Sequence, residues 1–238
     1  MLLPRYLLRE DTVLNLIDRA GFKRIADIGC GGGEILVALS RLGHHGVGYD
    51  LSPVARECAR QRLAESGQKG FEIVDNWPSG ELFDVVMLLE VLGYAGDPVQ
   101  LLRECRDLLV PGGSLLVSFV PPGAGYNPRV IQHMRCFSPH EVQSLLVEAG
   151  YHDVKIINYG YPLANSTVGL MNLVNGFLVS QAERRGERVE TGLLHRPKWL
   201  APLGLISNRW TIKPFLALQR LFVHTELGNG FIARARVE

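Results

Sequence analysis

The 238-residue chain is poor in cysteine, has no excess of either charge and contains no long apolar run. Its four cysteines, at 30, 58, 105 and 136, include no CxxC pair. That spacing argues against a zinc site or a disulfide-framed secreted fold and reads as small buried thiols in a reducing cytoplasm. No stretch reaches eighteen apolar residues without a polar interruption, so a spanning helix is not expected. Met1-Leu2-Leu3 runs into Pro4-Arg5 and then Arg9-Glu10-Asp11, too short a segment for the core of an export signal. Lys and Arg number 25 against 24 Asp and Glu, a balance that by itself names no partner. It conceals an asymmetry: residues 163–238 hold ten basic and five acidic residues, and residues 1–162 hold fifteen and nineteen.

What is present is an alternation of short apolar runs and helical patterns. Asp11 precedes Val13, Leu14, Leu16, Ile17 and Ala20, and Gly21 closes this first helix. Strands are expected at Arg24–Ile28, Gly46–Asp50, Phe71–Val74, Phe83–Leu89, Ser114–Phe119, Val154–Ile157 and Phe231–Val237. Between them Ser52-Pro53 caps a helix, and Asp97…Gln100 and Ser138…Glu141 read as capping boxes. Pro111-Gly112-Gly113 ends the helix that Asp97 opens. The alternation implies βαβ units in an α/β, doubly wound, mostly parallel sheet. Residues 163–226 break it and look helical.

In such a sheet the residues after each strand carry the ligand information. After the first strand stands Asp27-Ile28-Gly29-Cys30-Gly31-Gly32-Gly33. A dinucleotide loop, G-x-G-x-x-G, fails in both frames, because Glu34 or Leu36 takes the final place. The pattern D-x-G-x-G-x-G, with Asp50 ending strand two, Val74-Asp75-Asn76 ending strand three, Leu89-Glu90-Val91-Leu92 leaving strand four and Leu109-Val110-Pro111-Gly112-Gly113 before strand five, resembles the class I S-adenosylmethionine-dependent methyltransferases. The resemblance runs from about Ile25 to Asn158 and includes the terminal strand.

It implies a Rossmann-like sheet of seven strands with an antiparallel last strand, and S-adenosylmethionine as cofactor. Gly29, Gly31 and Gly33 would let the backbone pass under the methionine part, where a side chain would fill the space. Asp27 would position the amino end, Asp50 the ribose hydroxyls and Asp75 the adenine amino group. Cys30, Leu51, Asn76, Leu89 and Glu90 complete the implied cofactor set. Trp77 could cover the adenine or belong to the core.

The sulfonium supplies the electrophile, so placement of the nucleophile in a dry pocket is the protein's main task, with a base needed only for a protonated nucleophile. The place after strand four lacks the Asn/Asp-Pro-Pro-Tyr/Phe of amino-methylating enzymes, Asp75-Asn76 has no third partner for a metal, and only one of the two glutamates of protein arginine enzymes is present. The chain is most similar to the small-molecule group that modifies quinones, polyketides and sugars. That group builds its acceptor pocket from segments corresponding here to residues 1–12, 90–96, 121–137 and 163–226, which hold Tyr6, Arg9, Tyr94, Tyr126, His133, Tyr161 and His195. His133 is the preferred base, Tyr126 the second candidate and Tyr94 an acceptor-orienting hydroxyl; no metal is expected.

The expected layout is an N-terminal helical cap over 1–21, a cofactor-binding core over 22–162, a helical lid over 163–226 and the last core strand over 227–238. From Thr191 to Thr225 five basic residues and no acid are interleaved with Trp199, Trp210, Phe215 and Phe222. This suits a helix in a membrane interface. The preferred reading is an amphipathic lid packed on the sheet, with Leu216, Leu218, Leu221 and Phe222 inward and Arg209, Lys213 and Arg220 outward. A nucleic-acid partner is not expected. The resulting expectation is cytoplasmic transfer of a methyl group, favouring oxygen, to a small, fairly apolar acceptor, with a membrane-proximal quinone or lipid acceptor as its variant. An inactive cofactor-binding partner subunit is the alternative of another class.

Overall fold

The computed structural model describes residues 4–124, 134–163, 213–219, 221–223, 225 and 227–238, together with single positions between 165 and 184. The seven strands are β1 (Arg24–Ile28), β2 (His45–Tyr49), β3 (Phe71–Ile73), β4 (Phe83–Leu89), β5 (Leu109–Phe119), β6 (His152–Asn158) and β7 (Phe231–Arg236). They form one sheet in the order β3-β2-β1-β4-β5-β7-β6. β7 enters antiparallel between β5 and β6, and the remaining pairs among β1 to β5 are parallel. Strand order reverses between β1 and β4, which opens a crevice at their carboxyl ends.

Helices α1 (Pro4–Ala20), α2 (Glu34–Arg41) and α3 (Pro53–Ser66) cover one face, and α4 (Pro98–Arg106) and α5 (Pro139–Glu148) the other. Val13 and Ile17 of α1, Leu36 of α2 and Leu63 of α3 meet Ile25, Met87, Leu116 and Ile232 in one core. Leu102 of α4 and Val142 and Leu146 of α5 meet Ala26, Val86, Val117 and Ala233 in the other. Burial on both faces is why the central strands read as continuous apolar runs.

Three elements differ from the sequence pattern. α1 begins at Pro4 instead of Asp11, because Leu7, Leu8 and Arg9 are already buried, and proline is suited to the first helical turn. Pro111-Gly112-Gly113 lies inside β5: Phe83 pairs with Leu109 and Val85 with Ser114, so the extra residues form a bulge, with Gly112 at φ 75°. The Ser138–Glu141 box is reciprocal, but Asp97 accepts only the Gln100 N–H while the Gln100 amide donates to Glu104.

A short helix, α6 (Lys213–Gln219), precedes β7, and the described positions between 163 and 184 are helical. The inward face expected of Leu218 and Leu221 is not found: they are 38% and 76% exposed, and Gln219 is buried instead. Trp77 meets Tyr49 edge to face at 5.8 Å between ring centroids and packs on the core.

β1 and β2 approach most tightly at Gly46, where φ is +149° and a Cβ would stand 1.8 Å from the Ile25 carbonyl oxygen. Gly46→Ala is expected to lower stability by about 3 kcal/mol or more, read as a fall in the urea midpoint; an unchanged midpoint would contradict this account of the β1–β2 contact.

Candidate active site

The carboxyl edge of the sheet gathers the loops after β1, β2, β3 and β4. The β1 loop stays close to the sheet because the Gly29 and Cys30 N–H groups both donate to the Tyr49 carbonyl, at 2.7 and 3.0 Å. Gly29, Gly31 and Gly33 all have positive φ, and the space where a Cβ of Gly31 would stand is open. The loop thus presents bare backbone to the crevice. Asp50 fastens it to the β2 exit: Oδ2 accepts the Gly31 N–H and Oδ1 the Ser52 N–H, each at 2.9 Å. Each carboxylate oxygen keeps a second acceptor site. Leu51 beside it is 84% exposed, an apolar surface beside the carboxylate.

Asp27, near the end of β1, is 1% exposed and its Oδ1 has no hydrogen-bond partner among the described residues. Burial pushes its carboxyl up to about 7, although Arg9 nearby works the other way. A buried, unpartnered carboxyl at the crevice is costly in isolation and suits a ligand bearing a cation. Cys30 is also buried, and burial raises its thiol well above the ordinary range, which makes it a wall of the loop and not a nucleophile.

Glu90 leaves β4 with φ 64°, an uncommon conformation for a side chain of this size. Oε1 meets Arg5 Nη1 at 2.5 Å and Arg9 Nη1 at 3.0 Å, and accepts the Tyr159 hydroxyl at 3.2 Å. Burial alone would raise its carboxyl, but Arg5 and Arg9 outweigh burial and hold it down at about 2. The pairing closes α1 over the crevice beside Asp27. The sequence pattern puts Arg9 only in a pocket-forming segment and does not single out Arg5 or Tyr159. Their signal was the i,i+4 spacing of Arg5 and Arg9, visible only if the helix is begun at Pro4.

The other expected site residues are distributed as follows. Asp75 and Asn76 follow β3 on an exposed surface, and the Asp75 carboxylate is held by Arg60 at 2.7 Å and Arg56 at 3.0 Å. These bonds, Arg60 first, lower its pKa and leave its remaining lone pairs toward solvent. Leu89 ends β4, half-buried against the α1-side core. Tyr94 is exposed at the end of a 3-10 turn, Leu92–Tyr94. His133 and Tyr126 lie outside the described residues, as does His195.

Residues 5–156 match the model of a family described as "Methyltransferase domain". The chain is 32% identical over 172 residues to the ubiquinone biosynthesis O-methyltransferase of Aromatoleum aromaticum, covering 62% of this chain and 73% of that one. With the protein of the same name from Dinoroseobacter shibae it shares 35% over 150 residues, 55% of this chain and 60% of that one. It spans 40% of the one from Cereibacter sphaeroides strain ATCC 17025, so cover falls below two thirds for several of these relatives. Among solved structures, a possible histamine N-methyltransferase from Thermotoga maritima aligns over 98% of this chain and 89% of that one at a TM-score of 0.59 and 20% identity. A putative sarcosine dimethylglycine methyltransferase from Galdieria sulphuraria aligns over 97% and 86% at 0.62 and 14%. At such identities the structural likeness concerns the fold.

Asp27 binds its proton more tightly when folded, about 7 against about 4 for an unfolded chain. Its contribution is therefore most favourable below the unfolded value and is lost as pH rises from about 4 to about 7. Asp27→Asn is expected to melt above wild type at about pH 8 while the two converge toward about pH 4, checked by thermal unfolding across that range; a wild-type advantage at pH 8 would contradict the assignment.

Proposed function

The chain belongs to the methyltransferase domain family, and we propose that it is an S-adenosylmethionine-dependent methyltransferase whose acceptor is a phenolic or quinol-type hydroxyl on a small, fairly apolar ring. The observation that carries the cofactor part of this reading is the orphaned, buried Asp27 carboxyl beside the open glycine loop. Its chemistry suits an amino acid's ammonium, and an open Gly31 suits close backbone approach. The name of the A. aromaticum relative supports an oxygen acceptor of the quinone-precursor class.

In the proposed complex, Asp27 accepts the ammonium of the cofactor's methionine part, and Arg9, with Arg5 behind it, faces the carboxylate. Asp50 keeps its two backbone donors and takes the ribose hydroxyls on its remaining lone pairs. Leu51 covers the adenine, with Asp75 and Asn76 toward its amino edge. The cofactor, when bound, supplies an activated methyl on a sulfonium. The protein then orients the acceptor hydroxyl in line with it and keeps out water, from which most of the acceleration comes. His133, Tyr126 and Tyr94 remain the residues proposed to receive or orient the acceptor proton. The four free cysteines support a cytoplasmic setting.

A second reading has its own observation. Among the described residues no helix is long and apolar enough to cross a membrane, yet Leu173, Phe177, Leu218 and Leu221 are exposed in the segment that carries the basic, tryptophan-bearing stretch. We infer peripheral contact of residues 163–226 with anionic lipid. Co-sedimentation with vesicles of phosphatidylglycerol is expected to deplete the protein at low salt and less so at high salt; no binding at low salt would remove this reading.

Calorimetry tests the cofactor assignment. S-adenosylhomocysteine and S-adenosylmethionine are both expected to bind, and Asp50→Ala is expected to weaken binding by about 10- to 100-fold, the worth of hydrogen bonds to a charged group. Wild-type turnover against a panel of phenols and quinols tests the acceptor class, and cofactor binding with no turnover on any of them would favour an inactive partner subunit.

A further inference from the structure

Helix α3 meets the rest of the fold along a narrow ridge. Its buried residues are Ala55, Ala59 and Leu63, each four from the next, and the first two are small. The helix therefore lies close to the glycine loop: a Cβ at Gly33 would stand 3.0 Å from the Ala59 Cβ. Ser52 caps it two residues after Asp50, its hydroxyl accepting the Ala55 N–H at 3.3 Å. A helix seated this near the carboxyl ends of the strands can reach their exits with long side chains beside the ridge.

Three arginines do so. Arg62 Nη1 donates to the Gly32 carbonyl and meets Glu34 Oε1 at 2.9 Å, beside the glycine loop. Arg60 Nη2 donates to the Ile73 carbonyl at 3.2 Å and to Asp75 Oδ1 at 2.7 Å. Arg56 spans two strand exits. Its Nη1 donates to the Asp50 carbonyl at 2.7 Å and to the Leu51 carbonyl at 3.3 Å, and its Nε donates to Asp75 Oδ1 at 3.0 Å. The Arg56 side chain is 14% exposed against 37% for Arg60, so its bonds are the less screened by solvent.

These contacts complete what the backbone leaves undone. The Asp50 carboxylate is fixed by the Gly31 and Ser52 N–H groups, but the peptide that follows it is held through its carbonyl by Arg56. Leu51 is exposed, so side-chain packing does little to orient it, and its carbonyl also ends on Arg56. Both guanidiniums that reach Asp75 end on Oδ1, which leaves Oδ2 its acceptor sites.

We propose that Arg56 is the positioning residue for the adenosine half of the cofactor site, locking the β2 and β3 exits to each other so that Asp50, Leu51 and Asp75 present one surface. This rests on the cofactor reading above. The arginine does not touch the ligand; it fixes Asp75 Oδ2 as an acceptor at a set place relative to the Asp50 carboxylate. The consequence is base selectivity. An acceptor there favours the 6-amino group of adenine and disfavours the 6-oxo group of hypoxanthine, whose oxygen meets the carboxylate as a second acceptor. A lysine would carry the charge on one compact donor group, which cannot span three acceptors on two segments.

The test is calorimetry on the full chain with S-adenosylhomocysteine and S-inosylhomocysteine, comparing wild type, Arg56→Met and Arg56→Lys. The readout is the ratio of the two Kd values, which partial unfolding leaves unchanged because both ligands meet the same folded fraction. Wild type is expected to favour the adenosyl ligand about tenfold, the worth of one hydrogen bond to a charged group. Arg56→Met is expected to bind S-adenosylhomocysteine about tenfold more weakly, with a ratio of about threefold or less. Arg56→Lys is expected to show a ratio nearer that of Arg56→Met than that of wild type, and it carries the comparison should Arg56→Met fail to fold. An unchanged ratio in Arg56→Met, even with weaker binding, reduces Arg56 to a structural role and overturns the proposal. A wild-type ratio in Arg56→Lys overturns it too, since charge without the planar fork would then suffice. Wild type that binds S-adenosylhomocysteine without preferring it overturns the proposal and leaves the cofactor reading standing; wild type that binds neither ligand overturns both.

Discussion

Arg5, Arg9 and the Tyr159 hydroxyl all meet one oxygen of Glu90, so three segments far apart in the chain end on a single carboxylate. α1 supplies the cations, β4 the anion and the β6 exit the hydroxyl. Removing one member of such a buried set leaves a charge without its counterpart, which is far more damaging than the net worth of the set. Glu90 keeps a quarter of its side-chain surface exposed, and that solvent screens part of the attraction. The same set holds Glu90 at its positive φ, a conformation that persists only where the surroundings over-determine it. With α1 so fastened, the crevice between β1 and β4 has a roof.

Electrostatics divide that crevice into two kinds of carboxylate. Glu90 is compensated by arginines and stays ionised to about pH 2, whereas Asp27 is buried with its Oδ1 unpartnered and titrates near 7. The first is finished within the fold and the second is not. A cationic ligand would complete the second, with burial making the interaction stronger than in water. Structural charge and ligand-binding charge are thus distinguished by whether the protein itself supplies a partner.

Neutral polar groups fasten the segment before β7 to the rest of the fold: Gln219 and the Asn158 Nδ2 join α6 and its following turn to α1 and β6.

The glycine loop was legible in the chain because its pattern is local: D-x-G-x-G-x-G needs backbone without side chains immediately after a strand, and Asp50 needs only to end the next one. Strand and helix order was legible for the same reason, through apolar period and caps such as Ser138 and Glu141. The start of α1 was not, since what extends it to Pro4 is burial of Leu7, Leu8 and Arg9 against distant strands. Nor was the path of Pro111-Gly112-Gly113, where pairing with β4 absorbs a turn motif as a bulge. The pairing of Asp75 with Arg56 and Arg60 depends on how α3 packs beside β3. Sequence by itself determined the methyltransferase fold and the bare glycine loop after β1, because both rest on short-range pattern. Tertiary structure alone decided which buried groups are satisfied, because satisfaction depends on partners brought together only when the sheet is assembled.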